Sequence, residues 1–261
     1  MKKKVNLLFV ILILTLLIQC EKDVPNLKVE IPDKYFLSAL IEQGFDTNLD
    51  SLISFDEIEF IDSLNLHEKN IFNLTGIEAF TNLKYLNVSE NNLLTLDISK
   101  NAKLTELWCN RNTLQSLKID NNIALKHLFC FRNELTNLDV LSNSYLETLY
   151  CDWNPLSELD CTNLKQLKYL RCIDTPLHSL KIVNCENLWG LDCFNGPDTN
   201  DYEPLFTSLD CSGCFNLYSL IMYSNKISSL NITDCPNLYY LRLEGNQLER
   251  LDISKNISLS H

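Results

Sequence analysis

Residues 104–124 read LTELWCNRNTLQSLKIDNNIA, and the same spacing returns along most of the chain. Leucines stand at 83, 104, 125, 146, 167, 188, 217, 238 and 259, separated by 21 residues except for one gap of 29. Laid beneath one another, the eight units keep apolar residues at unit positions 1, 4, 6, 11, 14 and 16, with Asn or Cys usually at position 19. A unit this short cannot bury its own leucines, so each must stack on the next. The repeat therefore predicts a solenoid with one continuous ribbon of core.

Position 9 carries Asn91, Asn112, Asn133, Asn154, Asn225 and Asn246. Amides recurring there predict an internal ladder that bonds backbone where the chain leaves each strand. A buried polar group left unpaired costs about 1–3 kcal/mol. Thr175 and Gly196 interrupt the series, which predicts two weaker turns.

The strings LTELWCNRN, LKHLFCFRN and LETLYCDWN fit L-x-x-L-x-C-x-x-N and resemble the leucine-rich repeat. The match is to its nested 21-residue bacterial form, in which L-x-x-L-x-I/C-x-x-N/C appears twice per unit. It runs from Leu83 to Leu259, two thirds of the chain. The resemblance implies an α/β-type solenoid: a right-handed arc with parallel strands on its concave face and a mostly irregular or short-strand convex side. Residues 61–82 resemble the degenerate first repeat of internalin-like proteins and extend the solenoid backwards. The full repeats occupy 83–261, with an insertion at 194–205. The chain stops at Leu259-Ser260-His261 as a ninth unit begins, which leaves three readings open: a fraying last unit, an edge that meets another chain, or a truncated frame.

The first residues look like an export signal. Lys2, Lys3 and Lys4 precede an apolar run from Val5 to Ile18, too short for a comfortable span of about 20 residues. Leu17-Ile18-Gln19-Cys20 resembles a lipobox, with Gln19 where a small residue is usual. This implies a signal peptide over 1–19, a lipid on Cys20, a flexible tether over 20–32, and attachment to the bacterial outer membrane facing outwards. An uncleaved membrane anchor is the alternative. Glu21 and Asp23 after the cysteine resemble tethers of surface-exposed lipoproteins. Without residues 1–19 the chain carries 34 acids against 19 bases. That balance repels phosphate backbones and argues against nucleic acid as a partner.

Eleven cysteines in an exported chain suggest disulfides. Ten of them fall on inward repeat positions instead: Cys109, Cys130, Cys151, Cys172 and Cys193 at position 6, Cys161 and Cys211 at 16, and Cys185, Cys214 and Cys235 at 19. There Cys serves as a small apolar filler. Thiols stacked on parallel strands suit the disulfide dihedral poorly, so free buried thiols are expected.

Ahead of the repeats, residues 33–60 read as a helix-loop-helix cap that would cover the end of the core. DTNLDSLISFDE, from Asp46 to Glu57, resembles an EF-hand loop. Asp46, Asn48, Asp50 and the bidentate Glu57 match ligand positions 1, 3, 5 and 12, which implies Ca2+ as a ligand. Ser51 stands where that loop needs Gly. A metal-free cap is the alternative.

Strand side chains alternate inward and outward, so positions 3, 5 and 7 are expected to face out. These 24 sites hold nine aromatics, whereas positions 13, 15 and 17 hold none, although aromatics are a tenth of the chain. Trp108, Phe129 and Tyr150 occupy position 5 of three successive units, with Phe131, Arg111, Arg132 and Trp153 beside them, and Tyr169 and Phe194 extend the set. An outward patch of Trp, Tyr and Arg is the composition of a binding surface. The insertion, FNGPDTNDYEPLF, offers Tyr202 with Asp198, Asp201 and Glu203. Asp97, Asp139, Asp160, Asp210 and Asp252 at position 15 are read as turn-forming carboxylates.

No catalytic constellation stands out. Four histidines are scattered, neither G-x-S-x-G nor H-E-x-x-H occurs, and six dispersed glycines form no phosphate loop. The sequence reads as a non-catalytic, lipid-anchored surface protein, resembling adhesins, that binds a protein or a glycan through its aromatic face. A structural or assembly subunit of the cell envelope is the alternative.

Overall fold

The computed structural model describes residues 27–196 and 206–260. Nine strands, each three residues long, form one parallel sheet in which every strand pairs with the next coil's: Ser63–Asn65, Tyr85–Asn87, Glu106–Trp108, His127–Phe129, Thr148–Tyr150, Tyr169–Arg171, Gly190–Asp192, Ser219–Ile221 and Tyr240–Arg242. The register aligns the unit leucine at position 4 throughout, as in Leu86 with Leu107 and Leu128 with Leu149. From Leu64 to Leu220 that leucine is fully buried, and positions 3 and 5 around it are mostly half-exposed. A leucine flanked by two outward side chains is the smallest motif that serves both a core and a surface, which explains strands this short.

The second half of the unit pairs less regularly. Strands at positions 13–15 join only in twos: Thr95–Asp97 with Ser116–Lys118, Glu158–Asp160 with Ser179–Lys181, and Ser208–Asp210 with Ser229–Asn231. Beyond those strands the carboxylate at position 15 bends back to the backbone two residues on. Asp97 accepts from Ser99 N–H at 3.0 Å and Asp210 from Ser212 N–H at 2.9 Å.

Two amide ladders run through the interior. At position 9, Asn133 donates to the carbonyls of Cys109 and Cys130 at 3.0 and 2.9 Å and accepts from Leu114 N–H at 3.0 Å. Asn154 repeats the pattern one coil on. The residue before each amide turns left-handed, with φ of 55° at Glu90, Arg111 and Arg132 and 50° at Trp153. A non-glycine residue there costs roughly 1–3 kcal/mol, which the following amide's three bonds offset. Where the series breaks, other groups take over. Thr175 Oγ1 donates to the Cys172 carbonyl, and Gly196 N–H reaches Asp174 Oδ1 at 2.5 Å. At position 19, Asn101, Asn122, Asn143 and Asn256 each donate to two carbonyls of the preceding coils, and Cys185 and Cys214 replace them with one S–H donor apiece.

At the N-terminal side, α1 (Lys34–Glu42) starts on Asp33. One oxygen of that side chain accepts from Tyr35 and Phe36 N–H, and the other from Phe72 and Asn73 N–H at 2.8 and 2.9 Å. One carboxylate thus starts the helix and ties it to the first coil. Burial raises the Asp33 pKa, but these four N–H groups outweigh it and hold it below the usual range. Phe36, Ala39 and Leu40 join the repeat core, with the Phe36 ring 6.4 Å from Phe80. The second helix expected within residues 33–60 is a single turn, α2 (Phe55–Ile58), which starts on a capping box between Ser54 and Glu57 before the chain leaves for the first strand. Gly76, at φ 106°, lies where a Cβ would stand 2.8 Å from the Glu30 carbonyl. Among the described residues, no helix is long and apolar enough to cross a membrane.

Candidate functional site

The nine-stranded sheet sets position 5 of successive coils side by side. Trp108 stacks on Phe129 with centroids 3.8 Å apart and planes 22° from parallel. Phe129 meets Tyr150 edge to face at 5.3 Å, and the Arg171 guanidinium lies 4.8 Å over the Tyr150 ring. Four adjacent strands therefore carry one unbroken row of half-exposed rings ending in a cation. Glu106 fixes the first ring by accepting from Trp108 Nε1 at 2.6 Å.

The row ends at an acidic group. Asp152 is 1 % exposed, accepts from Ile173 N–H at 2.8 Å and faces Arg171 Nη2 at 3.4 Å. Burial pushes its pKa up to about 6 against the opposing pull of that N–H and of Arg171, with Asp192 and Asp174 adding repulsion. Burial also raises Asp192.

The other expected residues fall into separate groups. Arg111, Arg132 and Trp153 share position 8, on the left-handed turn after the strand. Arg111 pairs with Glu90 at 3.6 Å, and Arg132 lies 4.6 Å over Trp153. Phe194 stacks on Tyr223 at 4.3 Å, with Arg242 4.6 Å over Tyr223. Tyr202 and Cys20 lie outside the described residues, as do the signal peptide and most of the insertion. The expectation that position 7 faces outward needs correction. Strands end at position 5 and the chain then bends, so Asn110, Asp152 and Ile173 are buried, while Phe131, Phe194 and Tyr223 are half-exposed like the position 5 rings.

A second row went unpredicted. Tyr169 contacts Trp189 rather than Tyr150, at 5.7 Å. Trp189, Tyr218 and Tyr239 then stack in near-parallel planes at 4.8 and 5.2 Å, 9° and 8° apart. These three stand at position 2, the last residue before each strand, so the row follows the rim where the chain enters the sheet. The sequence signal is aromatics at position 2 of three consecutive units, a site outside the strand alternation. A cavity of about 660 Å³ lies along this rim.

In the acidic loop the carboxylates are bonded within the chain. Both Asp46 oxygens accept loop N–H groups, from Asp50 and Ser51, and Asp50 is paired with the Lys28 ammonium. Glu57 Oε1 accepts from Thr47 and Asn48, and its Oε2 from Ser54 N–H and Oγ. Burial raises the Glu57 pKa, but the Ser54, Asn48 and Thr47 donors win and hold it at about 2. Among the described residues, no group of three or more His, Cys, Asp or Glu side chains is placed to hold a metal. Ser51 does adopt the left-handed backbone of that turn, at φ 64°.

All ten described cysteines are free and buried. Cys109, Cys130, Cys151, Cys172 and Cys193 form a column one strand apart; burial lifts the thiols of the first three far above their ordinary range, and the contact with the Cys193 thiol, then burial, does the same for Cys172.

The stacked coils, the position 4 leucines and the position 9 amides decide the architecture. The chain is a leucine-rich repeat solenoid. No family model matches it. A 71-residue stretch, 27 % of the chain, is 35 % identical to internalin J of Listeria monocytogenes serotype 4b (strain F2365), of which it covers 8 %. The functional domain of InlJ from Listeria monocytogenes, described as including a cysteine ladder, superposes with a TM-score of 0.72 and 32 % identity. That match covers 87 % of this chain and 49 % of the InlJ domain, so the chain spans about half of that relative. The internalin InlF of the same species, at 21 % identity and a TM-score of 0.61 over 88 % of this chain and 74 % of its own, shares the fold.

Proposed function

We propose that this leucine-rich repeat chain is a non-catalytic recognition module that binds a protein ligand across the nine-stranded sheet. The carrying observation is the row Trp108, Phe129, Tyr150 and Arg171 on four consecutive strands, half-exposed although its rings are among the largest side chains on the sheet. Rings and arginine concentrate binding energy because they bury large area for little conformational entropy. A protein partner would bury the whole row within an interface of about 1,600 Å². The likeness to internalins supports this reading, as does the absence of any catalytic motif from the sequence.

In this reading the sheet lines the concave face of a right-handed arc, residues 33–60 shield the end of the core, and a lipid on Cys20 holds the chain at the outer surface of the outer membrane. Replacing Trp108 and Phe129 together by Ala in the full chain is the test, read by binding to an array of secreted and surface proteins. The reading requires loss of the wild-type partners with the fold retained. Partners undiminished by the double replacement would refute it. A stable oligomer by light scattering, with Trp108 shielded from quenchers, would point instead to an assembly subunit.

A further inference from the structure

We propose that the rim row of Trp189, Tyr218 and Tyr239 is a second binding site, separate from the position 5 row, and that its ligand is a neutral oligosaccharide. The cavity along it, about 660 Å³, is of the size that takes a small molecule or a short oligomer rather than a protein surface. Trp189 and Tyr239 are 44 % and 37 % exposed. Their planes stack nearly parallel, so each ring covers the next one's face and presents its edge to the cavity. Ring edges carry the positive end of the aromatic quadrupole and attract oxygen lone pairs.

A column of amides runs beside the rings. Asn187, Asn216 and Asn237 stand two residues ahead of Trp189, Tyr218 and Tyr239, and all six line the cavity. The amide nitrogens are tied down: Asn216 donates to the Glu186 carbonyl at 3.0 Å and to Asn187 Oδ1 at 3.3 Å, and Asn237 to the Phe215 carbonyl at 3.0 Å. Among the described residues nothing donates to the amide oxygens of Asn216 and Asn237. Fixed acceptors between electropositive ring edges suit a ligand that offers both hydroxyl protons and oxygen lone pairs at each step. The steps follow the strand spacing of about 4.8 Å, close to the length of one pyranose.

Charge selects among such ligands. The chain carries a formal net charge of −12, yet no carboxylate lines this cavity. The one charged lining residue, Lys168, is already paired with Glu147 at 2.6 Å. No unpaired charge lines it to favour a sulfate, a phosphate or an ammonium group over a neutral ligand.

The test is calorimetric titration of the full chain with cellohexaose and with the β-1,4-linked N-acetylglucosamine hexamer, and a heparin hexasaccharide as the charged probe. We expect saturable binding of at least one neutral hexamer and none of the charged one. The Trp189→Ala/Tyr218→Ala chain should lose about tenfold or more in affinity, and Trp189→Phe/Tyr218→Phe, which keeps two rings and the fold, should recover most of it. Trp108→Ala/Phe129→Ala should bind the hexamer like wild type, which separates this site from the protein-binding row. No saturable binding of either neutral hexamer overturns the proposal, as does tighter binding of the charged one or an affinity unchanged by Trp189→Ala/Tyr218→Ala.

Discussion

Trp108 and Phe129 occupy the same position on neighbouring strands, their ring centroids 3.8 Å apart, while Leu107 and Leu128 beside them are fully buried. One step along the backbone thus divides surface from core. The stacked pair supports itself: each ring covers part of the other, so an apolar row stays half-buried without a second layer of protein over it. Such a pair is worth about 0.5–1.5 kcal/mol beyond its area, whereas a core leucine removed to Ala costs about 2–5 kcal/mol.

Asn133→Ala should destabilise the chain by about 3 kcal/mol, since it leaves Leu114 N–H unpaired in the interior and takes one of two amide donors from each of the Cys109 and Cys130 carbonyls, which keep Asn112 and Asn154. Thr175→Ala, which removes one bond to the Cys172 carbonyl, should cost about a third of that. Urea unfolding of the two variants decides it; equal losses would mean that the amide ladder contributes nothing beyond one ordinary hydrogen bond.

Stability near neutral pH should bear the mark of Asp152. Its folded pKa of about 6 lies above the ordinary value of 3.8, so the folded chain holds the proton more tightly than the unfolded one. Stability from this group is therefore present at low pH and lost as pH rises through that window. Asp152→Asn removes the loss. The melting temperature of the variant relative to wild type should climb from about pH 4 to about pH 7, and a flat or falling difference would contradict the burial of an ionisable carboxyl beside Arg171.

Calcium should leave the melting temperature where it is, because the loop's carboxylates are bonded to its own N–H groups and to Lys28. Glu57→Ala, which releases both strands of that loop, should instead destabilise by about 2 kcal/mol. A clear upward shift with calcium, abolished by Glu57→Ala, would show the loop rearranging around the ion.

The solenoid was legible because burial forces a period. Leucines 21 residues apart admit no other packing, and the amides at position 9 are audible for the same reason: an interior site that tolerates a polar group selects one that satisfies its neighbours. The rim row was not legible, because Trp189, Tyr218 and Tyr239 precede the strands and obey no alternation. Position 7 misled for a related reason. Alternation holds only while the chain stays extended, and the left-handed turn at position 8 draws Asp152 and Ile173 inward. The acidic loop matches a ligand spacing at Asp46, Asn48, Asp50 and Glu57, whereas the donors that bond its carboxylates, Lys28 and the loop's own N–H groups, could not be read from that spacing.

Thiol titration should find the ten described cysteines silent in the folded chain and reactive after denaturation, since all are buried and unpaired. Fast reaction of several thiols under native conditions would mean that the coils open far more readily than their packing implies.

The central claim is tested most directly by comparing two double variants, Trp108→Ala/Phe129→Ala and Leu107→Ala/Leu128→Ala, by thermal unfolding and by binding to the partners that wild type retains. The row of rings as a recognition surface predicts that the first variant melts as a folded protein, destabilised by about 1 kcal/mol, and binds nothing, while the second fails to fold. If the first unfolds like the second, or folds and keeps every partner, the rings belong to the core or to no interface, and the account is wrong.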